Sequence, residues 1–199
     1  MRRRREPVRV RLDAKSVATL PDADIRAILR AADDLIAIGG RSLLTKILRG
    51  SRASDVLKHG LDRNPSHGYY RGVPEEEVLA NIDWMILHQY LRIEYKGQLP
   101  VLVFAPAGWR IEREAIADEI IVGFDQLLAS TARPYAMEYL KDRNRGMILL
   151  VLDKVQDSGD PKYVPVLEDW ERIDYKKVRE KIQTVIAHLR AGDLVAHSK

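Results

Sequence analysis

The residues with chemistry to offer in this sequence are cations beside a glycine turn. Arg49 closes one helical pattern and Gly50-Ser51-Arg52 leads into the next. Backbone N–H groups and a guanidinium can thus converge at a point where a phosphate would sit. A plainer assignment makes Arg49 a charge at a helix C-terminus and Ser51 a helix N-cap, roles that need no ligand. Tyr69-Tyr70-Arg71, in a glycine-rich stretch, reads either as a packing plug or as a platform on which an unpaired base stacks.

Catalytic chemistry is poorly provided for. The absence of cysteine excludes disulfides, zinc-thiolate sites and thiol nucleophiles. The histidines His59, His67, His88, His188 and His197 show no metal-ligand spacing, and His59, Asp62 and His67 form at most a faint cluster. There is no glycine-flanked serine of the nucleophile-elbow kind and no GxxxxGK[ST] loop, so ATP hydrolysis is not expected. Glu75, Glu76 and Glu77 suit the first turn of a helix, where carboxylates complement the dipole, better than an acid/base pair. The expectation is a non-enzymatic protein with no cofactor and no metal.

Charge is divided along the 199 residues. Residues 1–72 hold 16 Lys/Arg against 8 Asp/Glu, and residues 73–199 hold 17 against 21. Any polyanionic partner is thus expected to meet the N-terminal part; the Arg2–Arg5 run reads either as a share of that basic surface or as a solvated, mobile arm. No segment approaches the roughly 18 apolar residues of a membrane span. Met1 is followed by arginines, Glu6 and Pro7 instead of an apolar run, so a cytoplasmic protein is expected, and a nucleoid-associated one should the polyanion be DNA.

The elements that must position these residues follow from periodicity. Val8 and Val10 alternate with Arg9 and Arg11 in a short edge strand or extended arm. From Asp22, taken as a cap, Ile25, Ile28, Leu29, Ala32, Leu35 and Ile36 recur at spacings of three and four, and Gly39-Gly40 stops the helix. Arg41–Arg49 turns Leu43, Leu44, Ile47 and Leu48 inward, and a short third helix carries Val56 and Leu57 to Gly60. Residues 60–74 form a loop rich in Gly, Pro, Asn and Ser. Pro74 opens a fourth helix, after which Tyr90–Tyr95 and Leu99–Phe104 flank a hairpin tip at Lys96-Gly97-Gln98. This is the order of a winged helix. An amphipathic helix from Gly108 to Ser130 leads into helical patterns at Pro134–Asp142, Arg145–Gln156, Pro161–Trp170 and Tyr175–Leu189. Trp84, Trp109 and Trp170 read as core residues.

The stretch from Gly40 through Arg41, Lys46 and Leu48 to Arg49-Gly50-Ser51, then Tyr90-Leu91, then Pro100 to Gly108, resembles the RQC domain. That domain is the winged helix C-terminal to the motor of RecQ-type DNA helicases, and the likeness is greatest to its stand-alone "minor" bacterial branch. It covers residues 22–112 and includes Gly60, His67-Gly68 and Gly72 at family-like spacing. The resemblance implies a binder of duplex or forked DNA that holds phosphates at the turn after the second helix and sets its wing at the strand junction. Carried onto this sequence, it points to Arg49, Gly50 and Ser51, followed by Arg52, at the turn and to Lys96 and Gly97 at the wing tip; Arg41 and Lys46 on the second helix join them as candidate DNA contacts. Strand-separating members place an exposed aromatic at the tip, where this sequence has only Tyr95 adjacent, so unwinding is not expected. Ser158–Leu167 with Asp174–Arg179 resembles a HEAT-type repeat, which needs a partner layer to bury its face.

The expectation is a mainly α protein: a basic arm over 1–20, a winged helix-turn-helix over 21–112, a linking helix over 113–132 and a small all-α HEAT-like domain over 133–199. Its implied role lies in DNA repair, recombination or replication, with a helicase or other repair protein engaged by the C-terminal helices. The alternatives are an interaction scaffold and a winged-helix transcriptional regulator.

Overall fold

The computed structural model describes residues 10–130, 133–141 and 143–196; the Arg2–Arg5 run and Pro7–Arg9 lie outside them, and Val10–Leu12 form no strand. Asp22–Asp33 (α1), Arg41–Leu48 (α2), Ser54–Lys58 (α3) and Glu75–Leu87 (α4) precede the strands Leu91–Lys96 (β1) and Leu99–Phe104 (β2). The chain is thus mainly helical, with one antiparallel hairpin as the wing.

The spacing of apolar residues decides which face each helix buries. Ile28, Leu29, Ala31 and Ala32 of α1, Leu44, Ile47 and Leu48 of α2, and Val78, Ile82 and Met85 of α4 are almost wholly buried in one core, with Leu91 and Leu102 of the wing. Burying each Leu or Ile contributes about 1.5–3 kcal/mol relative to exposure. Pro21, not Asp22, holds the N-cap position of α1, and Asp22 and Asp24 lie in its first turn, where they complement the dipole.

The wing is tied to this core along its outer edge. Ala37 donates its N–H to the Leu102 carbonyl at 2.9 Å, and Leu102 donates to the Gly39 carbonyl at 2.8 Å, so the α1–α2 connection laces onto β2. The hairpin register runs from Leu91 opposite Phe104 to Lys96 opposite Leu99. Only Gly97 and Gln98 remain for the loop, and Gly97 sits at φ +67°, where glycine is favoured.

Pro106–Ala129 (α5) follows, then Glu138–Lys141 (α6), Arg145–Ser158 (α7), Val164–Glu171 (α8) and Lys176–Ala196 (α9). The chain divides into two compact units, Met1–Glu112 and Arg113–Lys199, so the division falls within α5. The segment read as a linking helix contributes Ile116, Ala117, Ile120 and Phe124 to the core of the second unit. Phe124 stands edge-on to Trp170 with ring centroids 5.9 Å apart. Trp170 is fully buried and donates its indole N–H to Asp174 Oδ2 at 2.7 Å. Helix α9 packs on both α7 and α8. Asn144 caps α7, its Oδ1 accepting from Gly146 N at 2.9 Å and Met147 N at 3.3 Å.

Two glycines of α5 make a direct test of this packing. A Cβ on Gly108 would lie 2.1 Å from the Tyr90 carbonyl oxygen and 2.9 Å from Leu29 Cδ2, whereas one on Gly123 would meet nothing within 4 Å. Gly108→Ala therefore destabilises by about 1–3 kcal/mol through overpacking, while Gly123→Ala stabilises by about 0.5–1 kcal/mol through helix propensity. Urea unfolding of both variants checks the opposite signs.

Candidate nucleic-acid interface

Helix α2 ends because Gly50 takes φ +75°, a conformation costly for any residue with a Cβ. Gly50 donates to the Ile47 carbonyl at 2.9 Å and Ser51 to the Lys46 carbonyl at 2.9 Å, the paired bonds of a Schellman cap. The convergence of backbone N–H groups on a phosphate, expected at this turn, is therefore corrected: the N–H groups of Gly50 and Ser51 are spent closing the helix. Ser51 does not cap α3 either. Its hydroxyl oxygen accepts from Ala53 N at 3.2 Å, and Ala53 holds the N-cap position.

The loop after α3 is drawn onto this turn. Gly68, at φ +82°, also donates to the Ile47 carbonyl at 2.9 Å, and Tyr70 donates to the Leu48 carbonyl at 2.7 Å. The Ser51 carbonyl lies 3.0 Å from His67 Nε2. The backbones of Gly50 and Gly68 pass so close that a Cβ on Gly50 would come within 3.0 Å of Gly68 Cα and 3.4 Å of the Arg71 guanidinium. Arg71 thus lies across the glycine–glycine contact; its backbone N–H donates to the Gly68 carbonyl at 3.0 Å, while its exposed side chain makes no hydrogen bond or ion pair among the described residues.

Its aromatic neighbours are occupied. Tyr70 is 8% exposed, and burial pushes its hydroxyl pKa up. Tyr69 packs edge-on against it at 5.0 Å and donates to Asp24 Oδ1 at 2.9 Å. Tyr70 is the packing plug, whereas Tyr69 remains 46% exposed and reaches the surface together with the cation that follows the pair.

The expected cations fare differently from one another. Arg41 donates to Oδ1 of the buried Asp83, whose Oδ2 accepts from Asp13 N at 2.8 Å. Lys46 Nζ lies 2.6 Å from Asp55 Oδ2, and its ammonium holds that carboxyl below the usual carboxylate range. Arg49 donates to the Val73 carbonyl at 3.2 Å and to Glu75 Oε2 at 2.9 Å. Arg52 is exposed and has no ion pair among the described residues. Arg41, Ser42 and Lys46 line a cleft of about 330 Å³ with Pro100 and Val101 of β2.

Lys96 is exposed at the wing tip, likewise without an ion pair among the described residues. The tip is less polar than the sequence suggests: Tyr95 is 43% and Leu99 70% exposed, beside the two-residue loop. Helix α4, directly before the wing, is exposed mainly at its ends, through the acidic first turn Glu75–Glu77 and through Leu87. Val78, Ala80, Ile82, Asp83, Trp84, Met85 and Ile86 are all buried, and Trp84 stacks on His88 at 3.9 Å. Among the described residues no group of three His, Cys, Asp or Glu could hold a metal ion, and no helix is long and apolar enough to cross a membrane.

A family model described as the RQC domain matches residues 22–120, about half of the chain. This chain carries an RQC domain. RQC domains are winged-helix domains associated with DNA binding in RecQ helicases, and they are not catalytic. No curated protein and no solved structure matches the chain.

Within the RQC domain, glycine is needed at both Gly50 and Gly68, at one to end α2 and at the other to let the loop approach it. The sequence reading singled out Arg71 only as part of the Tyr69-Tyr70-Arg71 run and not among the candidate phosphate contacts; the structure sets it at the surface over the Gly50–Gly68 contact. Arg41 belongs to the scaffold, as its partner Asp83 is 3% exposed. Removing one member of such a pair strands a buried charge, so Arg41→Ala is expected to destabilise by about 3 kcal/mol. Arg52→Ala, at an exposed unpaired position, changes stability by less than about 0.5 kcal/mol. Thermal unfolding of the two variants separates the structural from the surface arginine.

Proposed function

We propose that this protein binds duplex DNA without catalysis, through phosphate contacts made by its RQC domain. The observation that carries the reading is the exposed Arg71 guanidinium on the Gly50–Gly68 contact, with the exposed Arg52 two residues beyond Gly50 and neither held by a carboxylate among the described residues. A guanidinium offers a fork of donors to phosphate oxygens, and such contacts fix position on DNA without reading bases. Helix α4 supports the same conclusion, since seven of its thirteen residues are buried and its exposed first turn carries Glu75, Glu76 and Glu77, which a phosphate backbone repels.

The second contact is the wing. Lys96 supplies charge, and Tyr95 and Leu99 supply apolar surface at the tip, which suits the end of a duplex or a fork where bases are exposed. We place the protein's role accordingly in DNA repair, recombination or replication, with the second unit engaging a protein partner.

Binding is expected to weaken with salt, log K falling against log [salt] with a slope of about −0.9 per phosphate contact. The Arg52→Glu/Arg71→Glu variant then binds every duplex more weakly, with a slope shallower by about 0.9 for each phosphate it no longer neutralises. Equal affinity and slope for variant and wild type would refute the assignment of these arginines. Lys96→Glu with Gln98→Glu is expected to reduce binding to forked DNA more than to blunt duplex while leaving stability within about 1 kcal/mol. Fluorescence anisotropy with the two substrates makes the comparison, and unchanged binding to both would exclude the wing as a contact.

A further inference from the structure

The second unit carries 14 Lys/Arg against 15 Asp/Glu over residues 113–199, which gives no hint of an anion site. Its charges are nonetheless unevenly distributed. A cavity of about 500 Å³ is bordered by Lys141, Arg143, Arg145, Lys176 and Lys177. Asp174 is the one carboxylate among its described lining residues, and it is already engaged: Oδ2 accepts from the Trp170 indole at 2.7 Å and Oδ1 from Tyr175 N at 2.6 Å. Asp142 lies outside the described residues.

These cations are not consumed within the fold. Arg145 and Lys177 make no ion pair among the described residues, and the nearest carboxylate oxygen to Lys176 is that of Glu180 at 4.0 Å. Lys141 lies over the Tyr175 ring, 5.2 Å from its centroid. Helices α7 and α9 both begin at this cavity with no acidic residue in their first turns. The positive end of α7, capped by the neutral Asn144, therefore adds to the cations, whereas that of α9 is met by Asp174 at the Tyr175 N–H; five cations against one carboxylate among the described lining residues favour a negative occupant.

The floor is of a different kind. Leu140, Ile148 and Val178 line it as members of the hydrophobic core, and Tyr175 stands 61% exposed at its edge. An anion alone would leave this apolar surface wet. The occupant that satisfies both parts is a chain segment with carboxylates around an apolar side chain.

We propose that this cavity is a docking site for an acidic peptide segment of a partner protein, anchored by one apolar residue in the floor and by its carboxylates on the surrounding cations. Nucleic acid is disfavoured by the same arrangement. A phosphate backbone needs a track of cations, whereas these surround one cavity on a unit whose charges otherwise balance towards acidic.

The test uses the full chain and a fluorescein-labelled peptide with runs of Asp on both sides of a single Leu, read by anisotropy. Wild type is expected to bind it in a salt-sensitive manner, and Arg145→Glu/Lys177→Glu to weaken binding about tenfold. Exchanging the peptide's Leu for Ser should weaken it several-fold, and Arg52→Glu/Arg71→Glu should leave it unchanged. Tyr175→Ala repeats the test at an exposed position in case the double reversal unfolds the unit. Peptide affinity indifferent to Arg145, Lys177 and Tyr175 would overturn the proposal. So would loss of single-stranded or duplex DNA binding in Arg145→Glu/Lys177→Glu, which would make the cavity a nucleic-acid site; because the DNA-binding proposal rests on Arg52 and Arg71, the two can fail separately.

Discussion

The Ile47 carbonyl accepts two N–H groups, from Gly50 and from Gly68, and much of the candidate interface depends on that double acceptance. The first bond ends α2; the second pins a loop from beyond α3 against the helix end. Neither can form with a side chain in the way, since both glycines sit at positive φ and their backbones nearly touch. Once the loop is pinned, Tyr70 is committed to the core, Tyr69 packs on it, and Arg71 emerges at the surface over the turn. A rigid backbone beneath a guanidinium is what phosphate positioning requires, because a donor already held in place loses less entropy on binding.

The carboxylates of the fold rank the cations around this turn. Asp83 is buried and accepts from both Arg41 and the Asp13 N–H, so Arg41 is not available to a ligand. Asp55 and Glu75, half-buried and exposed respectively, are solvent-accessible partners of Lys46 and Arg49, and such pairs are worth no more than about 1 kcal/mol. A phosphate can compete for those two cations, whereas Arg52, Arg71 and Lys96 need no such exchange. In the proposed interface, phosphate contacts therefore begin with the unpaired side chains and not with the helix that the sequence makes most conspicuous.

Much of the first unit was legible because its signals are local. The three-and-four spacing from Ile25 to Leu35 gives α1, and the Lys96-Gly97-Gln98 tip between alternating segments gives the hairpin. The site was less legible because pairing is not local. Nothing near Arg41 in sequence reveals Asp83, 42 positions on, and nothing near Gly50 reveals Gly68. Counting charge over long segments also hid the cavity of the second unit, where five cations gather on a unit of nearly balanced charge. The non-helical Tyr135-Ala136-Met137 before the four-residue α6, where a longer helix was expected, is a comparable case: Tyr135 donates its N–H to Asp169 at 2.9 Å, a partner 34 residues away.

The central claim is that DNA meets the Gly50–Gly68 turn and the wing tip, and not α4. The most direct measurement is a titration of the ¹⁵N-labelled chain with a short blunt duplex, followed by amide chemical shifts. The largest shifts are predicted at Gly50–Arg52, His67–Gly72 and Lys96–Gln98, while the buried turns of α4 from Val78 to Ile86 move little. Shifts centred on α4 or confined to residues 113–196, with the turn and the tip unmoved, would contradict it.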